Sequence, residues 1–177
     1  MAVQSADIQY FLTGGSGNSN PNASLGGARS TTAMPAGLNN LYDNITGTNH
    51  AAGNVDTSKA ADYRVFAVHL ASPLSDASSS TLSNAVLKIS ASSLGDTSFQ
   101  AYVAATVNHT ITAGADENTA PTDGGAISFA AIPGGGLSLP TTMSPGDDVH
   151  IALMRTVSAG STAQTDSLTL QIQGDTI

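Results

Sequence analysis

The chain has 177 residues, with five Lys and Arg against thirteen Asp and Glu and a net charge of −8. That balance argues against a protein whose affinity rests on cations neutralising a phosphate backbone or an anionic membrane surface. Cysteine is absent, which removes disulfides, thiolate zinc sites and thiol nucleophiles together.

Only 10% of residues are charged, against about 25% in ordinary soluble proteins. The surface is therefore expected to be largely Ser, Thr, Asn, Gly and Ala. Such a surface suits packing against other proteins, because little charge has to be stripped of water. The opening MAVQSADIQYFLTGG has no basic region and no apolar run, so no signal peptide is expected. No window approaches the roughly 20 apolar residues of a membrane span.

In chain order, Asp7–Leu12 fits a strand, with Ile8, Tyr10 and Leu12 on one face. Residues 13–32, TGGSGNSNPNASLGGARSTT, then hold a single sizeable apolar side chain, Leu25, and a single charge, Arg29. This stretch cannot build a core. It reads either as a free linker or as an arm that docks on something else, and at full extension it spans about 65–70 Å. Leu38, Leu41, Tyr42 and Ile45 form a second apolar patch, spaced for one or two helical turns or for an irregular segment laid on the body. Residues 46–60 read as loop.

From residue 63 the pattern changes to period two. Tyr63–Leu70 is apolar on both faces, as in a central strand. In Asn84–Ser90, Ala85, Leu87 and Ile89 point one way. Phe99–Val107 and Val149–Val157 alternate, Ala126–Ile132 is a shorter strand, and Ser167–Gln173 turns Leu168, Leu170 and Ile172 inward. Turn signals such as Asp123-Gly124-Gly125, Pro133-Gly134 and Pro145-Gly146-Asp147 separate them. The fold class is all-β: an antiparallel β-sandwich, immunoglobulin-like or jelly-roll-like, over residues 63–177. Residues 1–62 form an N-terminal strand, arm and loop region.

Chemistry is sparse. His50, His69, His109 and His150 share no metal-ligand spacing. His69 and His150 are strand residues that could face each other across a sheet, as could any two strand residues. Asp147-Asp148 reads as a turn leading into a strand, and Asp116-Glu117 as a solvated loop. No nucleophile elbow or phosphate loop is present. Arg64 and Arg155, in the densest strands, are expected to make structural salt bridges. No catalytic residue, metal site or cofactor is expected, and the chain does not read as an enzyme. A glycan- or receptor-binding sandwich is the alternative. Its candidate platform rings are Tyr42 and Tyr102, since Phe66, Phe99 and Phe129 suit the core.

The segments LTGGSGNSNPNASLGGARST, LNNLYDNITG and DYRVFAVHL, followed near the end by MSPGDDVHIALMRTVSAGSTAQTDSLTLQIQG, resemble in order those of tailed-bacteriophage virion structural proteins. The likeness is thinnest between residues 72 and 140, and residues 54–60 look like extra loop. It carries over no catalytic residue. It implies a virion component, most directly a capsid cement or decoration protein. Such a protein would be assembled in the host bacterial cytoplasm and would contact the major capsid protein or copies of itself, but neither nucleic acid nor membrane. A neck or tail position is the other reading. On that view residues 13–32 are an extended arm ordered by neighbouring subunits. Its anchors would be Tyr10, Leu12 and Leu25, and its polar contacts Asn18, Asn20, Asn22 and Arg29.

Overall fold

The computed structural model describes residues 2–34, 61–77, 79–93, 97–140, 142–157 and 167–177. Among them the regular secondary structure is β apart from two short 3-10 turns, Ser5–Asp7 and Pro21–Ala23. The strands are β1 (Ile8–Thr13), β2 (Arg29–Ala33), β3 (Asp62–Leu70), β4 (Leu82–Ser93), β5 (Thr97–Val103), β6 (Ala130–Ala131), β7 (Leu137–Ser138), β8 (Thr142–Met143), β9 (Asp148–Val157) and β10 (Ser167–Thr176). They form two antiparallel sheets. One runs β2-β1-β3-β9-β5-β6. The other runs β10-β4-β7, with β8 also pairing with β4. The expected antiparallel β-sandwich is the fold.

The core lies between the sheets, and the period-two pattern explains which residues reach it. Leu12, Phe66, Val68 and Leu70 from β1 and β3 meet Val149, Ile151 and Leu153 from β9 on one side. Leu82, Ala85, Leu87, Met143 and Ile172 close it from the other. Each fully buried aliphatic side chain here contributes about 1.5–3 kcal/mol. Because β3 and β9 are central strands, their alternate residues are buried on the opposite face too. Val65 and Ala152 are fully buried there, with Ala104 and Ile111 above them.

Three expectations are corrected. First, the sandwich does not begin at residue 63. β1 pairs with β3 from Ile8↔Leu70 to Leu12↔Phe66, and β2 pairs with β1, so residues 8–33 supply two of its strands. Second, β5 ends at Val103 rather than Val107. Ala104 N bonds His150 O and Asn108 N bonds Asp148 O. The chain thus advances four residues (104 to 108) while its partner advances two (150 to 148), and the surplus leaves the ladder with Val107 packed against the core between the sheets. Third, of Ala126–Ile132 only Ala130–Ala131 pairs as a strand. Ile127 and Phe129 instead pack down onto the outer-face cluster, with Phe129 against Tyr63 at 5.4 Å between ring centroids.

The patch of Leu38, Leu41, Tyr42 and Ile45, with the loop at 46–60, lies outside the described residues.

Candidate functional site

The polar side chains of the molecule gather on the outer face of the six-stranded sheet and in the segments that cover it. Alternation puts them there. In β9, Val149, Ile151 and Leu153 face the core, so Asp148, His150 and Ala152 face outward. In β3, Phe66, Val68 and Leu70 face the core, so Val65, Ala67 and His69 face outward.

Asp148 is the hub of this face. Its carboxylate accepts from His69 Nδ1 at 2.7 Å and from Arg29 Nε at 2.9 Å. The Arg29 guanidinium sits 4.5 Å over the Phe11 ring, and Phe11 meets His69 edge-on at 5.7 Å. Four strands, β1, β2, β3 and β9, thereby converge on one carboxylate. Its neighbour Asp147 has the turn role expected of the pair: its carboxylate accepts from Ser144 N and from Asn108 Nδ2, both at 2.7 Å. Beyond Asp148, His150 is only 3% exposed. Burial holds its pKa below the ordinary histidine range, and the attraction of Asp148 only partly offsets this. His69 and His150 do share a face, offset by two residues, because the register pairs His69 with Asp148 and Ala67 with His150.

A second carboxylate, Asp123, fastens the covering segment. It accepts from Tyr102 OH at 2.6 Å and also pairs with His109 Nε2. The Tyr102 hydroxyl holds the Asp123 carboxyl below its ordinary value, with a smaller pull from His109. Burial, then the bonded Asp123 charge, push the Tyr102 phenol up to about 12. The Tyr102 ring rests on the outer-face cluster of Val65, Ala104, Ile111 and Ala152, and its hydroxyl is spent on Asp123. Tyr102 is thus a clamp rather than the open platform of the glycan reading. Its proposed companion Tyr42 lies outside the described residues.

Residues 13–32 are the largest departure from expectation. They do not extend away as an arm but fold back onto their own sandwich. The chain leaves the β1 register at Thr13 and resumes beside β3 at Ser24. There Val65 N donates to Ser24 O at 2.7 Å and Ser24 Oγ donates to Val65 O at 2.6 Å. Thr13 N donates to Ser24 Oγ at 2.8 Å, closing the base of the loop. Two hydroxyls buried in the sheet make bonds that a linker has no reason to make.

The candidate contact residues divide accordingly. Leu12 is buried in its own core, and Tyr10 packs there against Phe66, 6.3 Å between centroids, so neither anchors a neighbour. Leu25 is half-buried, its carbonyl accepting from Gly114 N at 3.3 Å. Asn22 Oδ1 accepts from Arg64 Nη2 at 2.9 Å, and Arg29 is held by Asp148. Asn18 Nδ2 donates to Thr13 O at 2.6 Å. Asn20 caps the Pro21–Ala23 turn through Asn22 N. Residues 14–20, mostly exposed, form a tip of Gly, Ser and Asn on that closed base.

Beneath the loop lies a buried ion cluster. Asp62 is fully buried, with one carboxylate oxygen on Arg64 Nη1 and the other on Arg155 Nη2, the latter at 2.8 Å. Two arginines bracketing one aspartate satisfy both its oxygens, as a carboxylate in this setting requires. This is the structural salt bridge expected of Arg64 and Arg155. Asp62 itself escaped the sequence reading because it sits at the edge of the apolar run. The one signal was charge of opposite sign two residues apart, at the start of a strand otherwise mostly apolar.

No group of three His, Asp or Glu is arranged to hold a metal ion among the described residues. Set against protein-family models, curated proteins and solved structures, the chain finds no match.

Proposed function

We propose that this chain is a non-enzymatic virion structural protein of a tailed bacteriophage, acting as a capsid cement or decoration protein across neighbouring capsid subunits. The observation that carries the reading is the loop at residues 14–23. Its base is tied to β3 through Thr13 and Ser24, while its Gly, Ser and Asn tip stays exposed and uncharged. A contact element already folded loses little conformational freedom when it binds. A neutral one sheds little charge hydration. Weak contacts of this kind become strong when a symmetric shell repeats them.

The segment order resembling phage structural proteins and the low overall charge support the same reading. The partners would be the major capsid protein or further copies of this chain. The exposed Asn20 and the half-buried Asn18 are the contact residues of the tip, in place of the partly buried Tyr10 and the buried Leu12. A neck or tail position would use the same loop.

Mass spectrometry of purified particles tests the proposal. The chain is expected at a copy number comparable with that of the shell subunits, and its loop should be shielded from protease only in the particle. Its absence from purified particles overturns the reading. Sugar binding lost on changing Tyr102 would favour the glycan-binding alternative instead.

A further inference from the structure

The outer face of the six-stranded sheet carries a cover, residues 104–129, and the cover lies over a buried histidine. His150 Nδ1 has no hydrogen-bond partner among the described residues, though the residue is almost wholly enclosed. The titratable and charged groups on this face are Asp148 on β9 itself, Arg29 from β2, His69 from β3 and Tyr102 from β5. The cover adds His109 and Asp123, and Asp147 stands in the turn before β9. Both nearby carboxylates are committed: Asp148 to His69 and Arg29, and Asp123 to Tyr102 and His109. A proton placed on His150 therefore creates a buried charge with no uncommitted carboxylate to receive it.

The cover is moored on this strand. Ala104 N donates to the carbonyl of His150 itself at 2.9 Å. Asn108 N donates to Asp148 O at 2.7 Å, and Asp148 N donates to Asn108 Oδ1 at 2.9 Å. Farther along, the cover is held by Gly27 N to Ile111 O at 2.8 Å, Gly114 N to Leu25 O at 3.3 Å and Tyr63 N to Glu117 O at 2.7 Å, by Tyr102 on Asp123, and by the small buried cluster of Val65, Ala104, Ile111 and Ala152. That cluster is slight beside the core between the sheets, so the cover can open while the sandwich stays folded.

We propose that residues 104–129 form an acid-released cover, closed on the sheet while His150 is neutral and opened when His150 takes up a proton. The direction follows from burial. His150 in the closed form is held below its ordinary value of 6.5, and in the open form it regains water. The open form therefore binds the proton first. Closure is at full strength above about pH 6.5 and weakens as the pH falls toward the native His150 value. Over that interval the opening equilibrium grows by up to about tenfold per pH unit. Release rests on His150.

Hydrogen exchange on the full chain at about pH 7.5 and about pH 5 tests this, after correction for the intrinsic pH dependence of exchange. Opening measured at the amides of Ala104, Asn108 and Gly114, each bonded across to the body of the sandwich, is expected to rise severalfold in acid, while the β4 and β10 amides hold steady. His150→Phe and His150→Gln are each expected to abolish the rise. Equal opening at both pH values overturns the proposal, as does an undiminished rise in the variants. If neither variant folds, NMR titration of the histidine rings in the unaltered chain decides. A His150 ring that titrates below about 6.5, in step with release of the cover, supports the proposal. A ring that titrates at or above that value with the cover closed overturns it.

Discussion

The two faces of the six-stranded sheet are stabilised by different physics. The inner face packs Phe66, Val68, Ile151 and Leu153 against a second sheet, and its contribution scales with apolar area removed from water. The outer face has only Val65, Ala104, Ile111 and Ala152 in its buried cluster. The rest of its cohesion comes from directed bonds to Asp148, Asp123 and Ser24. Apolar burial is indifferent to pH, whereas directed bonds to titratable groups are not. One sheet therefore carries a constant side and a conditional side.

The sharpest way to break the comparison is at the point where charge enters the inner layer. Removing the carboxylate in Asp62→Ala strands two arginines, and is expected to lower unfolding stability by about 3–5 kcal/mol. Denaturant unfolding with an unchanged slope would check it. An effect on Asp62→Ala under about 1 kcal/mol would mean that water reaches the cluster. On the apolar side, Ile151→Ala removes a fully buried side chain at an expected cost of about 2–5 kcal/mol, the same at neutral and mildly acid pH. A strong pH dependence in that cost would erase the distinction between the faces.

Ser24→Ala removes the hydroxyl that closes the loop on Thr13 and Val65, at an expected cost of about 1–3 kcal/mol. The loss should be accompanied by faster proteolysis confined to residues 13–28. Tyr102→Phe separates the faces by alkali. The native phenol is held up to about 12 against about 10 when unfolded. The native state therefore keeps a proton that the unfolded chain has released, and stability falls as pH rises from about 10 toward about 12. Tyr102→Phe should cost about 1 kcal/mol at neutral pH and reduce that alkaline slope, leaving the part due to Tyr10, whose phenol burial also raises, read from melting temperature against pH. Gln173→Ala, exposed on β10, should change stability by less than about 0.5 kcal/mol.

The inner face was legible in the sequence and the outer face was not. β9 could be read because Val149, Ile151 and Leu153 recur at period two, and β3 because a run such as Tyr63–Leu70, apolar on both faces, has few other uses. β2 is Arg-Ser-Thr-Thr-Ala. It carries no apolar stripe, and its place comes from its pairing with β1 and from Arg29 reaching Asp148. The fold-back of residues 13–28 left no pattern either. A serine that bonds a strand carbonyl looks like any other serine, and only the tertiary approach of Val65 makes Ser24 special. Gly26 can be understood only afterwards: a side chain there would press within 2.7 Å of Ala113 Cα, where loop and cover cross. Among the candidate contact residues, Tyr10 and Leu12 were misplaced for a related reason. Apolar side chains beside a polar stretch look like anchors for a partner, and they belong instead to β1, a strand held between β2 and β3 in the chain's own sheet.

The closed base of the 14–23 loop also matters to anyone reshaping the molecule. Thr13 and Ser24 are bridged directly, so the base of the loop is closed even though Asn18 and Asn22 add bonds to Thr13 and Arg64 from within it. A foreign peptide spliced in place of the tip would ride on the sandwich as cargo. Its length would be limited by the weak, logarithmic growth of loop-closure entropy rather than by the sheet beneath.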